Sequence, residues 1–379
     1  MRYNCLMLRR YLAFVVLGLV FVGVTFFAQS HTTPFFLPEG ATVRTIRDAN
    51  EAVWGTTVPA QLASITPSCP PDDDFACWEK FYRDLSDNES SVVALADIKA
   101  RYATRTGLPF RSCHSLLHII GEKAGAEFDT VADAYAHGDT VCRAGFHHGV
   151  LVEELTKNGS NPLGSAWLDS LCTSTYRGER GGYHYFNCVH SVGHGLMAYF
   201  EHDLFQALDG CGKFSGSWER TTCYGGVFME NVNSASAGVP SRFLRDDDLL
   251  YPCNEVSEEQ RRACYWTQPY HMLNITNGDF SRIFGACGSV ENSEARIQCF
   301  QSLGRDGAAW LGEYSGTVAS SCALGLTREA RTSCLLGAAS ELTLFYESSE
   351  EAFAVCDAST DTDFIEACKT EAATYLEKI

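Results

Sequence analysis

The sequence is short of positive charge: 29 Lys and Arg stand against 47 Asp and Glu, for a net charge of −18. A chain this acidic repels phosphate backbones, which excludes nucleic acid as a partner. Several metal and haem signatures are missing too. No Cys-x-x-Cys-His string occurs, so covalently attached haem is excluded. No His-Glu-x-x-His occurs, which removes the zinc-protease motif and the glutamate it uses as base. His-Glu dipeptides, by which certain helical-repeat hydroxylases grip two irons, are also absent.

What is present begins with a distinct leader. Arg2, Arg9 and Arg10 precede "YLAFVVLGLVFVGVTFFA", apolar and uncharged from Tyr11 to Ala28 and long enough to span a bilayer. "FFAQS" is a weak cleavage site, and Cys5 precedes the apolar run, against a lipoprotein reading. The expected order is a basic cytoplasmic segment over 1–10, an uncleaved transmembrane signal anchor over 11–28 and a Pro- and Thr-bearing linker over 29–60. An extracytoplasmic domain, periplasmic or extracellular, follows over 61–379. Setting the three leader arginines aside takes the net charge from −18 to −21, which suits solubility outside the cytoplasm.

Sixteen of the 17 cysteines follow the leader, an even number that implies a disulfide framework. Cys211/Cys223, Cys253/Cys264, Cys287/Cys299, Cys322/Cys334 and Cys356/Cys368 each enclose ten or eleven residues; Cys172/Cys188 is a longer version and Cys69/Cys77 a shorter one. Cys264, Cys299, Cys334 and Cys368 recur at intervals of 35, 35 and 34 residues, the spacing of a helical-pair repeat. Arg220, Arg261, Arg296 and Arg331 each stand three residues before such a cysteine. Ser257, Ser293 and Thr327 read as starts of long helices, with "SEEQ" at 257–260 as a capping box. The expected fold is all-α: disulfide-stapled tandem helical pairs, an α-solenoid of period about 35.

The units differ in chemistry. Nine of the 11 histidines lie between His114 and His202. At the sixth position after the cysteine that opens each long helix stand His148 and His194, then Met229, Tyr270, Arg305, Ser340 and Thr374. His114/His118 and His190/His194 are four apart and share helix faces. With His147 beside His148, these six are the candidate metal ligands, in a histidine-rich half over about 110–275, followed by structural repeats over about 276–379. Neutral imidazole suits iron, zinc or copper. Single histidines in apolar helices are usually core residues, and His137, His184 and His202 fall outside the register. Cys113 and Cys142 have no partner at the usual spacing, so they pair with each other or serve as thiolate ligands. Gly121, Gly145, Gly149, Gly193, Gly195, Gly225 and Gly226 surround the cluster, either for close packing or for room beside a metal, the latter favoured.

The functional expectation is a membrane-anchored metal-binding protein, a metalloenzyme with hydrolytic or oxygen-activating chemistry, using Glu230 or Glu153 for proton transfer. The alternative is a non-catalytic α-solenoid scaffold at the cell surface, or a metal or haem carrier with haem between His118 or His148 and His194. Substrate and protein partner are not specified by the sequence.

Overall fold

The computed structural model describes residues 69–70, 75–104, 107, 109, 112–157, 164–175, 183–236, 241–312, 314–346 and 348–378, all within a compact unit over residues 40–379. The expected leader, anchor and linker up to residue 60 lie outside the described residues. No helix among the described residues is long and apolar enough to cross a membrane.

The described chain is all-helical, with 16 helices and no strand. Two helices, α1 (Phe75–Asn88) and α2 (Ser91–Tyr102), pack on α3 (Cys113–Glu127). From there long and short helices alternate. The long ones are α3, α5 (Val141–Lys157), α7 (Tyr183–Tyr199), α9 (Ser217–Ser236), α10 (Glu258–Thr276), α12 (Ser293–Trp310), α14 (Arg328–Tyr346) and α16 (Thr362–Lys378). Each packs against the next. The short ones are α4 (Val131–Ala136), α6 (Ser165–Thr175), α8 (Leu204–Cys211), α11 (Phe280–Gly288), α13 (Ser315–Cys322) and α15 (Glu350–Asp357). Between α9 and α10 a run of turns replaces the short helix.

Local signals place these boundaries. Gln260 Oε1 accepts from the Ser257 backbone at 3.0 Å, one half of the capping box that opens α10. Thr327 Oγ1 accepts from the Ala330 backbone and starts α14. At α12 the cap is Asn292 rather than Ser293: its side chain accepts from Ala295 N at 2.9 Å, and asparagine caps as well as serine.

All eight expected disulfides are present, Cys113–Cys142 included. The thiolate-ligand alternative for that pair is therefore overturned, because both sulfurs are bonded to each other. From α8 onward each bridge ties the end of a short helix, or of the turn segment before α10, to the second turn of the next long one. Closing a loop of a dozen residues stabilises by about 3 kcal/mol in the chain-entropy model. The arginine three residues before the cysteine stitches each unit together. Arg220 donates to the Phe214 carbonyl and pairs with Glu259 of the next long helix. Arg296 repeats this with the Val290 carbonyl and Glu329, and Arg331 keeps the contact with the Gly325 carbonyl.

Helices far apart in the chain also meet. Arg143, at the start of α5, forms an ion pair with Glu341 on α14, 198 residues later. Residues from distant units therefore become neighbours, Asp306 and Arg305 beside Arg143 and Glu341 among them.

Candidate metal centre

The centre is built where α3, α5, α7 and α9 come closest. Glycines set that closeness. A Cβ on Gly149 would lie 2.0 Å from the His118 carbonyl oxygen, one on Gly145 2.4 Å from that of His114, and one on Gly226 2.0 Å from that of His190. Each of these glycines backs onto the carbonyl of a histidine, so the backbones touch and the imidazoles meet. The expectation of glycines that leave room for a ligand is corrected here: their space is filled by the neighbouring helix.

Five imidazoles and one carboxylate form a continuous cluster. His118 Nε2 lies 3.1 Å from His114 Nε2 and 3.1 Å from His148 Nδ1. His194 Nε2 lies 3.3 Å from His190 Nε2, and His194 Nδ1 lies 2.8 Å from Glu230 Oε2. Three overlapping groups result: His114, His118 and His148; His148, His190 and His194; and His118, His194 and Glu230, each with its ligand atoms within 4.8 Å of one another. Around an ion bound at about 2.0–2.1 Å, neighbouring ligands of a tetrahedron stand roughly 3.3–3.4 Å apart and those of an octahedron roughly 2.8–3.0 Å. The observed nitrogen separations fall across that range.

Hydrogen bonding alone does not account for the arrangement. A ring nitrogen carries one proton or one in-plane lone pair, never both, yet His118 Nε2 faces two other ring nitrogens. His114 Nδ1 donates to the Cys142 carbonyl at 2.8 Å, which assigns its proton to Nδ1 and leaves the Nε2 lone pair directed into the cluster. Glu230 does the same for His194 by accepting from Nδ1. His148 Nε2 is buried with no hydrogen-bond partner.

Burial is the leading cause that holds all five rings below the usual histidine range. For His118 and His148, the neighbouring imidazoles reinforce it; His194 is lowered to about 3. The rings are thus neutral at pH 7, the protonation state in which imidazole binds metal.

The structure separates the sequence candidates. His114, His118, His148, His190 and His194 converge, and Glu230 joins them. His147 is not part of the cluster. One helical residue is a turn of about 100°, which points His147 away from His148 and onto the Tyr135 ring, 4.4 Å between centroids. Glu153 is likewise outside: five residues past His148, it lies by Gly125 of α3 and pairs with Lys157 at 3.6 Å. His148 and His194 stack at 4.3 Å and 15°, a van der Waals contact that leaves no layer for a porphyrin between them.

Two features escaped sequence reasoning. Cys142, Arg143 and Ala144 take left-handed backbone angles, φ 54°, 59° and 59°, at a cost of roughly 1–2 kcal/mol each. The disulfide at Cys142 anchors this turn, which aims the Cys142 carbonyl at His114 and the Arg143 guanidinium at Glu341. The second is a charged cluster at the same depth in α12 and α14. Arg305 pairs with Asp306 at 2.7 Å and stacks on Trp266 at 3.9 Å. Burial, with Glu341 adding, raises the Asp306 carboxyl to about 6 against the opposing Arg305 and Arg143. A signal existed: Glu230, Asp306 and Glu341 all stand seven residues after a repeat cysteine.

Comparison with protein families, with curated proteins and with solved structures finds no match to this chain.

Proposed function

We propose that this protein is an extracytoplasmic metal-binding protein, held at a membrane by residues 11–28, and that its histidine centre makes it a metalloenzyme. One observation carries the reading: imidazoles from three consecutive long helices bring neutral ring nitrogens to 3.1–3.3 Å of each other, with Glu230 beside them. Eight disulfides support an oxidising compartment. The recurring cysteine interval and the repeated arginine contacts support a solenoid of period about 35. Iron, zinc and copper all suit such donors. A bound ion with an open position would activate water or dioxygen, while His114 and His194 hold their outer protons on the Cys142 carbonyl and Glu230.

A second reading is a structural or carried metal. The burial of His148, His190 and His194 favours it, at 2%, 5% and 0% exposure, because a sealed ion has no place for substrate.

Elemental analysis of the full chain and of a His148→Ala/His194→Ala variant tests metal binding. Stoichiometric metal that disappears in the variant while helicity persists supports the proposal; a metal-free native protein sinks it. Azide added to the cobalt form separates the two readings. A shifted visible spectrum marks an open coordination position, and an unchanged one marks a closed structural site.

A further inference from the structure

The cluster offers six ligands, the full set of an octahedral ion. Two ligands of one ion at about 2.1 Å stand at most about 4.2 Å apart, so six side chains would all have to fall within that span of one another. They do not: the ligand atoms sort into three groups of three, and in none do His114 and His118 stand together with His190. α5 packs against both α3 and α7, and the two pairs also meet directly where His118 approaches His194, 5.2 Å between ring centroids. His148, on α5, is the residue common to the two all-histidine groups.

His148 contacts both histidine pairs, and its Nε2, like Nδ1 of His190, is buried without a hydrogen-bond partner. Its Nδ1 lies 3.1 Å from His118 Nε2 on the α3 side. Its ring stacks on His194 at 4.3 Å and approaches His190 at 5.3 Å on the α7 side. The other nitrogen, Nε2, belongs to a residue 2% exposed and has no hydrogen-bond partner. By contrast, the outer nitrogens of His114 and His194 are committed to the Cys142 carbonyl and to Glu230. A buried imidazole with one nitrogen in a ligand triad and the other unsatisfied lacks a second acceptor or cation.

Resting on the metal reading above, we propose that the centre holds two transition-metal ions, one with His114 and His118, the other with His190 and His194, and that His148 bridges them through its two ring nitrogens. Neutral imidazole carries one N–H. Bridging breaks that bond, leaves the electron pair on nitrogen as the second donor, and releases the proton to solvent, as metal binding to protonated ligands does. Glu230, behind His194, supplies negative charge beside the second ion.

The test uses the full chain, stripped of metal and titrated with Cu²⁺ and, separately, Co²⁺. Elemental analysis after gel filtration is expected to find two ions per chain, and the dicopper form to show the weakened electron-spin resonance of a coupled pair. His114→Ala/His118→Ala and His190→Ala/His194→Ala should each retain one ion, with the signal of isolated copper. His148→Gln should abolish the coupling. One ion per wild-type chain, loss of both ions from either double variant at unchanged helicity, or coupling that persists in His148→Gln overturns the two-ion centre. The wild-type count requires no variant to fold. An uptake of zero overturns the metal reading itself, a result distinct from an uptake of one.

Discussion

The two halves of the helical row use one scaffold for two chemistries. In α5 and α7 the sixth residue after the repeat cysteine is His148 or His194; in α12 it is Arg305. The seventh is Glu230 in α9, Asp306 in α12 and Glu341 in α14. Backbone contact is the same in both halves: Gly149 meets the His118 carbonyl as Gly304 meets that of Cys334, at 2.0 and 1.8 Å from a hypothetical Cβ. Stapling is also shared. The difference teaches that glycines and disulfides make the frame, whereas the residues at one depth decide whether a unit contributes imidazole or paired charge.

Metal removal should break this comparison most strongly. An ion present at 1,000 times its dissociation constant stabilises by about 4 kcal/mol. A chelator should therefore lower hydrogen-exchange protection in α3, α5, α7 and α9 and leave α12 and α14 unchanged. Uniform loss across both halves would show that the centre does not belong to the first half alone.

Asp306 sharpens the contrast from the other side. A carboxyl raised to about 6 when folded binds its proton more tightly than in the unfolded chain. Its contribution is present below the unfolded value near 3.8 and is lost as pH rises through 6. Arg305, Arg143 and Glu341 face it. Relative to wild type, Asp306→Asn should gain about 3 kcal/mol between pH 3.5 and 7, read by denaturant unfolding across that range. A pH-independent difference would contradict the assignment.

Glycine substitutions separate frame from site. Gly149→Ala and Gly304→Ala should each destabilise by about 1–3 kcal/mol through backbone overpacking, and only the former should weaken metal binding. Gly285→Ala, with nothing within 4 Å of its added Cβ, should stabilise by up to about 1 kcal/mol. Thermal melts and metal uptake on the same samples decide it. The smallest effect expected is on affinity alone: Glu230→Gln should weaken metal binding 10–100-fold, as loss of a carboxylate behind a ligating histidine does. Glu341→Gln, at the equivalent position, should leave binding unchanged.

Much of the frame was legible because its signals are local. Cysteine spacing paired seven of the eight bridges and left Cys113–Cys142 open between a disulfide and thiolate ligands, and capping chemistry placed α10 and α14 to within a residue. At α12 the asparagine one residue earlier, an equally good cap, takes the role. The site was legible only in part. Helical spacing put His114 with His118 and His190 with His194, and the repeat register put His148 level with His194. The same register excluded His147, which stands at the fifth position, yet adjacency to His148 gave it equal weight. Glu153 was named as a carboxylate able to serve as base, but five residues past His148 its side chain is carried well around the helix, by Gly125.

The order of residues by itself determined the helices, most of their sulfur staples and the confinement of imidazole to one half, because caps and most of the disulfide loops act over about a dozen residues and the repeat restates them at a fixed interval. Only the tertiary structure decided which nitrogens face one another, that glycines close the helices rather than open a cavity, and that Arg143 meets Glu341. Those outcomes depend on the angle and distance between packed helices, which sum many weak contacts along the row and are written in no single segment.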